Sequence, residues 1–427
     1  MLVRAVLGTP ARAVRGTARL VGDPARQVLD YWSSERVTMR QAFLAVCVAS
    51  LTSLAAGLAL AGMSGRIDAV KGLFVLIPVS IGMRGNIFGG LAARLGTSIH
   101  SGLFEVSRER TGILYQNVYA ATLLTIGTSV AMGLLARAVA ALLDIDTVSV
   151  WDLIVVALIG GLLSSAIVLV ATIAISVSSF RRDWDLDSVG APLITAIGDL
   201  VTLPCLFLAS FLVGFDPLTP IVGALSVVLG VGAVIRGWTS VLPVARRIVR
   251  ESFPVLCIAI VLDVLAGTVV EPRVEDVFVP YPALLIIIPG FLEKTGSLGA
   301  ILAARLGSKL HLGAVSPSAK PEAAALLDAS IVFVLGLTVY AITAVSTLAL
   351  AAAIGAAYPG ALRFVGIVML GGLLATVLAS LIGYYAATTT YRFGLDPDNH
   401  TIPLVTSGMD LLGIICLVIA LVVFGVT

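Results

Sequence analysis

The sequence predicts an all-α integral membrane protein, with about eleven transmembrane helices forming two parallel five-helix repeats joined by a linker helix. Three observations predict it. Of 427 residues, 59% are hydrophobic and 12% charged, and the mean hydropathy is +1.07, whereas soluble domains carry roughly 25% charged residues. Apolar runs long enough for a helical crossing recur along the chain. Two pairs of strings also superimpose at one shift. PVSIGMRGNIFGGLAARLGTSIHSG from Pro78 matches PGFLEKTGSLGAILAARLGSKLHLG from Pro289, and DLDSVGAPLITAIGDL from Asp185 matches DPDNHTIPLVTSGMDL from Asp396, with 289 − 78 = 396 − 185 = 211. A single long period with preserved spacing means paired halves and not a solenoid.

The spans follow in order at about 20 apolar residues each: 42–63, 72–102, 116–143, 151–178, 190–214, 218–238, 253–271, 281–313, 324–356, 361–388 and 401–426. The second and eighth are long for one straight crossing and contain Pro and Gly, so each is expected to be tilted, broken or unwound near its middle. The sixth has no partner in the second half. A five-span unit following itself directly would insert upside down, and one extra crossing restores the original sense. The chain therefore divides into an Arg-rich arm at 1–40, a first repeat at 41–214, a linker helix and loop at 215–252, and a second repeat at 253–427. No cleaved signal peptide is expected, because the first apolar run starts too late and is too long.

Orientation follows from Lys and Arg in the short loops, which are in excess on the cytoplasmic side. The amino arm holds Arg4, Arg12, Arg15, Arg19, Arg26, Arg36 and Arg40, and alternate loops hold Arg108 with Arg110, Arg181 with Arg182, and Arg236 with Arg246, Arg247 and Arg250. The intervening loops carry Asp144, Asp146, Asp216, Glu271, Glu275 and Asp276. This places the amino end in the cytoplasm, the carboxyl end outside, and the chain in the cell membrane. A net charge of +2 gives no reason to expect nucleic acid as a partner. Cys47, Cys205, Cys257 and Cys416 lie in apolar runs without CxxC spacing and read as packing residues.

The chemistry concentrates in the duplicated strings. Asp199 lies about ten residues into the fifth span, roughly 15 Å along a helix and near mid-membrane, and Asp410 sits at the same depth in the eleventh. A carboxylate there costs roughly 2.5 to 3.5 kcal/mol or more and marks a functional site unless it is protonated or paired with a base. No basic residue recurs at the matching depth. Thr195 and Thr406, one turn earlier on the same faces, offer hydroxyls or ordinary helix packing. Two carboxylates among oxygen donors, without His or Cys, describe a hard-cation site. Mg²⁺ suits it because that ion keeps much of its water and takes one or two carboxylates. No resident cofactor is expected, Mg²⁺ being the cargo.

Pro78 with Gly82, Gly85, Asn86, Gly89 and Gly90 offers broken helix and an amide oxygen along a watery path, or close helix packing. Asn86 maps to Ser297, while Gly82, Met83 and Arg84 map to Glu293, Lys294 and Thr295, so the halves differ here. Glu293 with Lys294 reads as an internal ion pair or a gate. Asp185, Asp187, Asp396 and Asp398 sit at the cytoplasmic mouth as cation attractors or helix caps. Arg94 and Arg305 either pair with those acids or snorkel. His100, His311 and His400 are not assigned to a metal. Asp263 and Asp328, whose counterparts are Thr52 and Asn117, are further intramembrane acids suited to a coupling ion or proton.

These residues, PxxxGxxGN followed by ARLGT and the D-x-D-x4-P-x6-D string, resemble the membrane domain of MgtE-type magnesium transporters. The resemblance is closer to their solute-carrier relatives, in which two such domains are fused. It covers roughly 42–214 and 253–427. It implies two five-helix domains about a central pore, Mg²⁺ bound at Asp199 and Asp410, and Asn86 on the pore wall. It also implies a transporter or channel and not an enzyme. MgtE proteins carry cytoplasmic Mg²⁺-sensing domains where this chain has a short Arg-rich arm, so that gating is not carried over. The partners expected are a divalent cation and the lipid bilayer, with the chain serving as its own pseudo-dimer. Two alternatives stand beside divalent cation transport: a Na⁺- or H⁺-coupled Mg²⁺ exchanger, and a Mg²⁺-dependent lipid phosphotransferase using the four mouth acids.

Overall fold

The computed structural model describes residues 24–107, 109–182, 186–394 and 401–426, and among them every regular element is helical. The described residues divide into two units between Phe43 and Leu44. The helices run α1 Pro24–Ser34, α2 Arg36–Gly62, α3 Ser64–Ala69, α4 Leu76–Arg84, α5 Gly90–His100, α6 Ile113–Leu142, α7 Val150–Arg182, α8 Leu186–Ser210, α9 Leu218–Trp238, α10 Pro243–Val270, α11 Pro282–His311, α12 Ala323–Ile354, α13 Ala361–Phe393 and α14 Ile402–Val423. Among the described residues nine helical runs are long and apolar enough to cross a membrane. They correspond to all the predicted spans except the first and fifth. Those two fall on α2 and α8, whose described apolar portions are Ala49–Gly62 and Ile194–Ser210.

The ends follow from residue type. Pro243 and Pro282 open α10 and α11, where a missing N–H costs no hydrogen bond. Gly355 and Gly394 close α12 and α13 at φ of 72° and 61°, a left-handed backbone that glycine adopts without steric cost.

The two long predicted spans behave differently. In the first repeat α4 and α5 are joined by a π-helical turn, Gly85–Gly89. In the second, α11 is continuous through Pro289, so the expected break is absent there. Gly82, Gly89 and Gly90 are replaced at the shifted positions by Glu293, Ala300 and Ile301. Each replacement recovers helix propensity, Ala most of all, and the chain runs on as an α-helix.

Glycines let the repeats interlock. A Cβ on Gly57 of α2 would stand 1.9 Å from the carbonyl oxygen of Ile286, and one on Gly267 of α10 would stand 2.7 Å from backbone atoms of Val75. Val75 and Ile286 are themselves equivalent, 286 − 75 = 211. Helix α2 therefore crosses the start of α11, and α10 the entry to α4, backbone against backbone. Helix α10 also packs on α6 and on α14.

Candidate functional site

A cavity of about 260 Å³ opens between α4, the π turn, α8, α11 and α14. Six predicted site residues line it: Asn86, Thr195, Asp199, Ser297, Thr406 and Asp410. Both repeats contribute equally, three residues each. The rest of the wall is apolar side chains such as Ile81, Leu292 and Ile402, with Gly82, Gly85 and Glu293 among them. Of the other two predicted ligands, Asp187 falls in the first turn of α8, and Asp398 lies outside the described residues together with Asp185, Asp396, His400 and Arg108.

Glycine sets the approach of the helices that carry the carboxylates. Beside Gly413 of α14 a Cβ would meet Thr295 of α11 at 2.8 Å, and beside Gly82 one would meet Asp410 Oδ2 at 3.6 Å. Asp199 is only 3% exposed and lines the cavity together with Asp410 and Glu293. One turn toward the start of α14 the hydroxyl of Thr406 lies 3.3 Å from Asn86 Oδ1, bridging the repeats, and 2.9 Å from the Ile402 carbonyl of its own helix. The Nδ2 of Asn86 is buried without a partner. Among the described residues no three Asp, Glu, His or Cys side chains converge closely enough to chelate a bare ion. A cation held in this cavity keeps part of its water, the habit of Mg²⁺.

Three further charged groups stand near the cavity, one of which, Arg84, nothing in the sequence singled out. Asp263 of α10 is 0% exposed, and neither of its oxygens has a partner. Its Oδ2 would be 2.6 Å from a Cβ on Gly82. Arg84 and Lys294 are each 1% exposed, so the repeats do place a buried base at nearly the same depth. Their registers differ by one residue, since Arg84 maps to Thr295 and Lys294 to Met83. Arg84 donates from Nη1 to the Gly161 carbonyl at 2.9 Å and to the Ser165 hydroxyl. Lys294 donates to the Gly290 carbonyl at 3.1 Å and stands 3.6 Å from Glu293 Oε2, the ion pair the sequence suggested. Glu293 also accepts a hydrogen bond from Ser53 of α2.

Asp328, offered above for a coupling ion or proton, is held by two bases. Its buried carboxylate accepts from Arg305 at 2.8 Å and from Lys309 at 2.6 Å. At the shifted positions Arg94 donates to Asn117 Oδ1 at 3.0 Å. These two bases therefore bond sideways to the next helix, in contrast to plain snorkelling. Asp328→Leu is expected to cost about 3 to 5 kcal/mol by removing one side of a buried ion pair. Asp328→Asn, which copies the first repeat, is expected to cost less. Thermal unfolding of the detergent-purified variants checks the order. His311 is exposed and packs edge-on against Tyr391, and the four cysteines are free.

Two segments, residues 77–209 and 288–420, match the MgtE family, described as a divalent cation transporter. Their ends are offset by 288 − 77 = 420 − 209 = 211, the period of the strings. Solute carrier family 41 member 3 of Rattus norvegicus is 24% identical over 379 residues, covering 81% of this chain and 78% of that protein. Solute carrier family 41 member 2 of Homo sapiens is 26% identical over 271 residues, 59% of this chain and 44% of that protein. No solved structure matches the chain.

Proposed function

This chain belongs to the MgtE family of divalent cation transporters, and from that premise we propose that it carries Mg²⁺ across the cell membrane between its two repeats, with Asp199 and Asp410 as the central acids. The supporting observation is the shared cavity, to which each repeat brings one carboxylate, one threonine hydroxyl and one further polar side chain. Eleven crossings, with the amino end in the cytoplasm, make the repeats parallel and put the path along their common axis. Asn86, Ser297, Thr195 and Thr406 contact the water shell of the ion. The mouth acids Asp187 and Asp398 gather cations at the cytoplasmic end. A family of transporters leaves no role for a phosphotransferase reading of those acids.

Inward movement of a double charge across 100 mV is favoured by about 4.6 kcal/mol, so no chemical step is needed. The decisive test is uptake into vesicles containing the purified protein. Mg²⁺ entry that follows an imposed potential is the expected result, and absence of divalent flux under every gradient would sink the reading. Entry or exit that requires an opposing Na⁺ or H⁺ gradient identifies an exchanger. Asn86→Ala is expected to slow Mg²⁺ flux roughly tenfold, the equivalent of one polar contact worth about 1 to 1.5 kcal/mol.

A further inference from the structure

We propose that Asp263 and Glu293 are a second carboxylate pair of the permeation site, one for each repeat, reaching equivalent places from different helices. The inference rests on the transport reading above and adds to it a rule about charge.

The two acids are not related by the 211-residue shift, which pairs Glu293 with Gly82 and Asp263 with Thr52. They are related in space. Where α10 crosses α4, an aspartate faces a glycine: Asp263 Oδ2 would stand 2.6 Å from a Cβ on Gly82. At the equivalent crossing of α2 and α11 the arrangement is reversed, and Glu293 of α11 reaches to Ser53, the neighbour of Thr52 on α2. Each crossing carries one carboxylate and a small partner. A carboxylate on both sides of the first crossing is sterically closed by that 2.6 Å approach.

Each acid stands beside one of the central aspartates. A Cβ on Gly82, against which Asp263 lies, would also stand 3.6 Å from Asp410 Oδ2, and Glu293 lines the same cavity as Asp199. Asp263 is fully buried with both oxygens unpartnered. A carboxylate left without a partner in such a place either holds its proton or takes up a cation.

The charge balance gives the pair its function. Lys294 is buried beside Glu293, and its ammonium cancels one negative charge of the group. Asp199 and Asp410 alone would then present a single net charge to a divalent ion. Glu293 restores the second, Asp263 adds a third and the buried Arg84 takes one away, so the group carries the two negative charges that favour divalent over monovalent cations.

The exchange of roles makes a test. Asp263→Thr installs the residue found at the matching position of α2. It is expected to weaken the Mg²⁺-dependent rise in Tm of the detergent-purified protein at least tenfold in midpoint concentration, and to lower Mg²⁺ flux in vesicles. Gly82→Glu with Asp263→Thr rebuilds the second crossing in the first, and is expected to return both readouts to within about threefold of the parent. Asp263→Thr behaving as the parent would overturn the proposal, as would a double variant that folds with parental Tm in the absence of metal yet stays as weak as the single. Should the double variant fail to fold, Glu293→Gln decides: a parental Mg²⁺ midpoint and parental Mg²⁺-over-Na⁺ selectivity overturn the proposal, and a tenfold loss upholds it. A parent with neither Mg²⁺ stabilisation nor Mg²⁺ flux would instead refute the transport reading itself.

Discussion

Asp199→Asn and Asp410→Asn, made singly, are expected to reduce divalent cation flux at least thirtyfold, and together to abolish it. The amide keeps the shape of the carboxylate and loses its charge. Even at the dielectric of bulk water a doubly charged ion about 4 Å from a carboxylate gains about 2 kcal/mol, and several times that in a partly desolvated site. The lower figure alone is a thirtyfold change in occupancy. Stability should move the opposite way. Asp199 is 3% exposed, and neutralising a buried acid in the absence of metal removes a cost of burial. The Tm of Asp199→Asn in chelator is therefore expected to match or exceed that of the parent, while its Mg²⁺-dependent rise shrinks. Full flux through the double variant would show that the central carboxylates do not hold the ion.

The legibility of this site in the sequence depended on register. Asp199 with Asp410, Thr195 with Thr406, and Asn86 with Ser297 were found because each pair obeys the 211-residue shift, and all six now line one cavity. Asp263 obeys no such rule. Its counterpart is Thr52, and only the crossing of α10 over Gly82 shows what it stands beside. Arg84 and Lys294 were missed as a pair for the same reason, being one residue out of register on equivalent helices. The helices themselves were readable from apolar length. The continuity of α11 was not, because Pro289 signals a break whose energy depends on the residues after it, and there Glu293, Ala300 and Ile301 stand where the first repeat has glycine. Asp328 looked like a free intramembrane acid until folding placed Arg305 and Lys309 against it. A linear reading detects duplicated chemistry well and detects chemistry traded between helices poorly.

Gly57→Ala is expected to destabilise the fold by about 3 kcal/mol or more, and Gly57→Leu to leave no folded protein after detergent extraction. The first added carbon would stand 1.9 Å from the carbonyl oxygen of Ile286, 2.7 Å from its carbonyl carbon and 2.9 Å from its Cα. Those are backbone atoms of a helix, so no side-chain rotation relieves the contact and α2 must move away from α11. Overpacking in a core that can still adjust costs about 1 to 3 kcal/mol, and here the adjustment is the separation of two helices whose association rests on close backbone approach. Gly62, on the same helix, has nothing within 4 Å of the place a Cβ would occupy and supplies the control: Gly62→Ala is expected to leave Tm unchanged or slightly raised. The fraction of monodisperse protein and its Tm read both variants. The effect also reaches the ion site, because Ser53 lies one turn from Gly57 and holds Glu293 in place. A Gly57→Ala protein that survives extraction should therefore show a weakened Mg²⁺ response beyond its loss of stability, whereas parental stability at Gly57→Leu would mean that α2 does not cross α11 at this point.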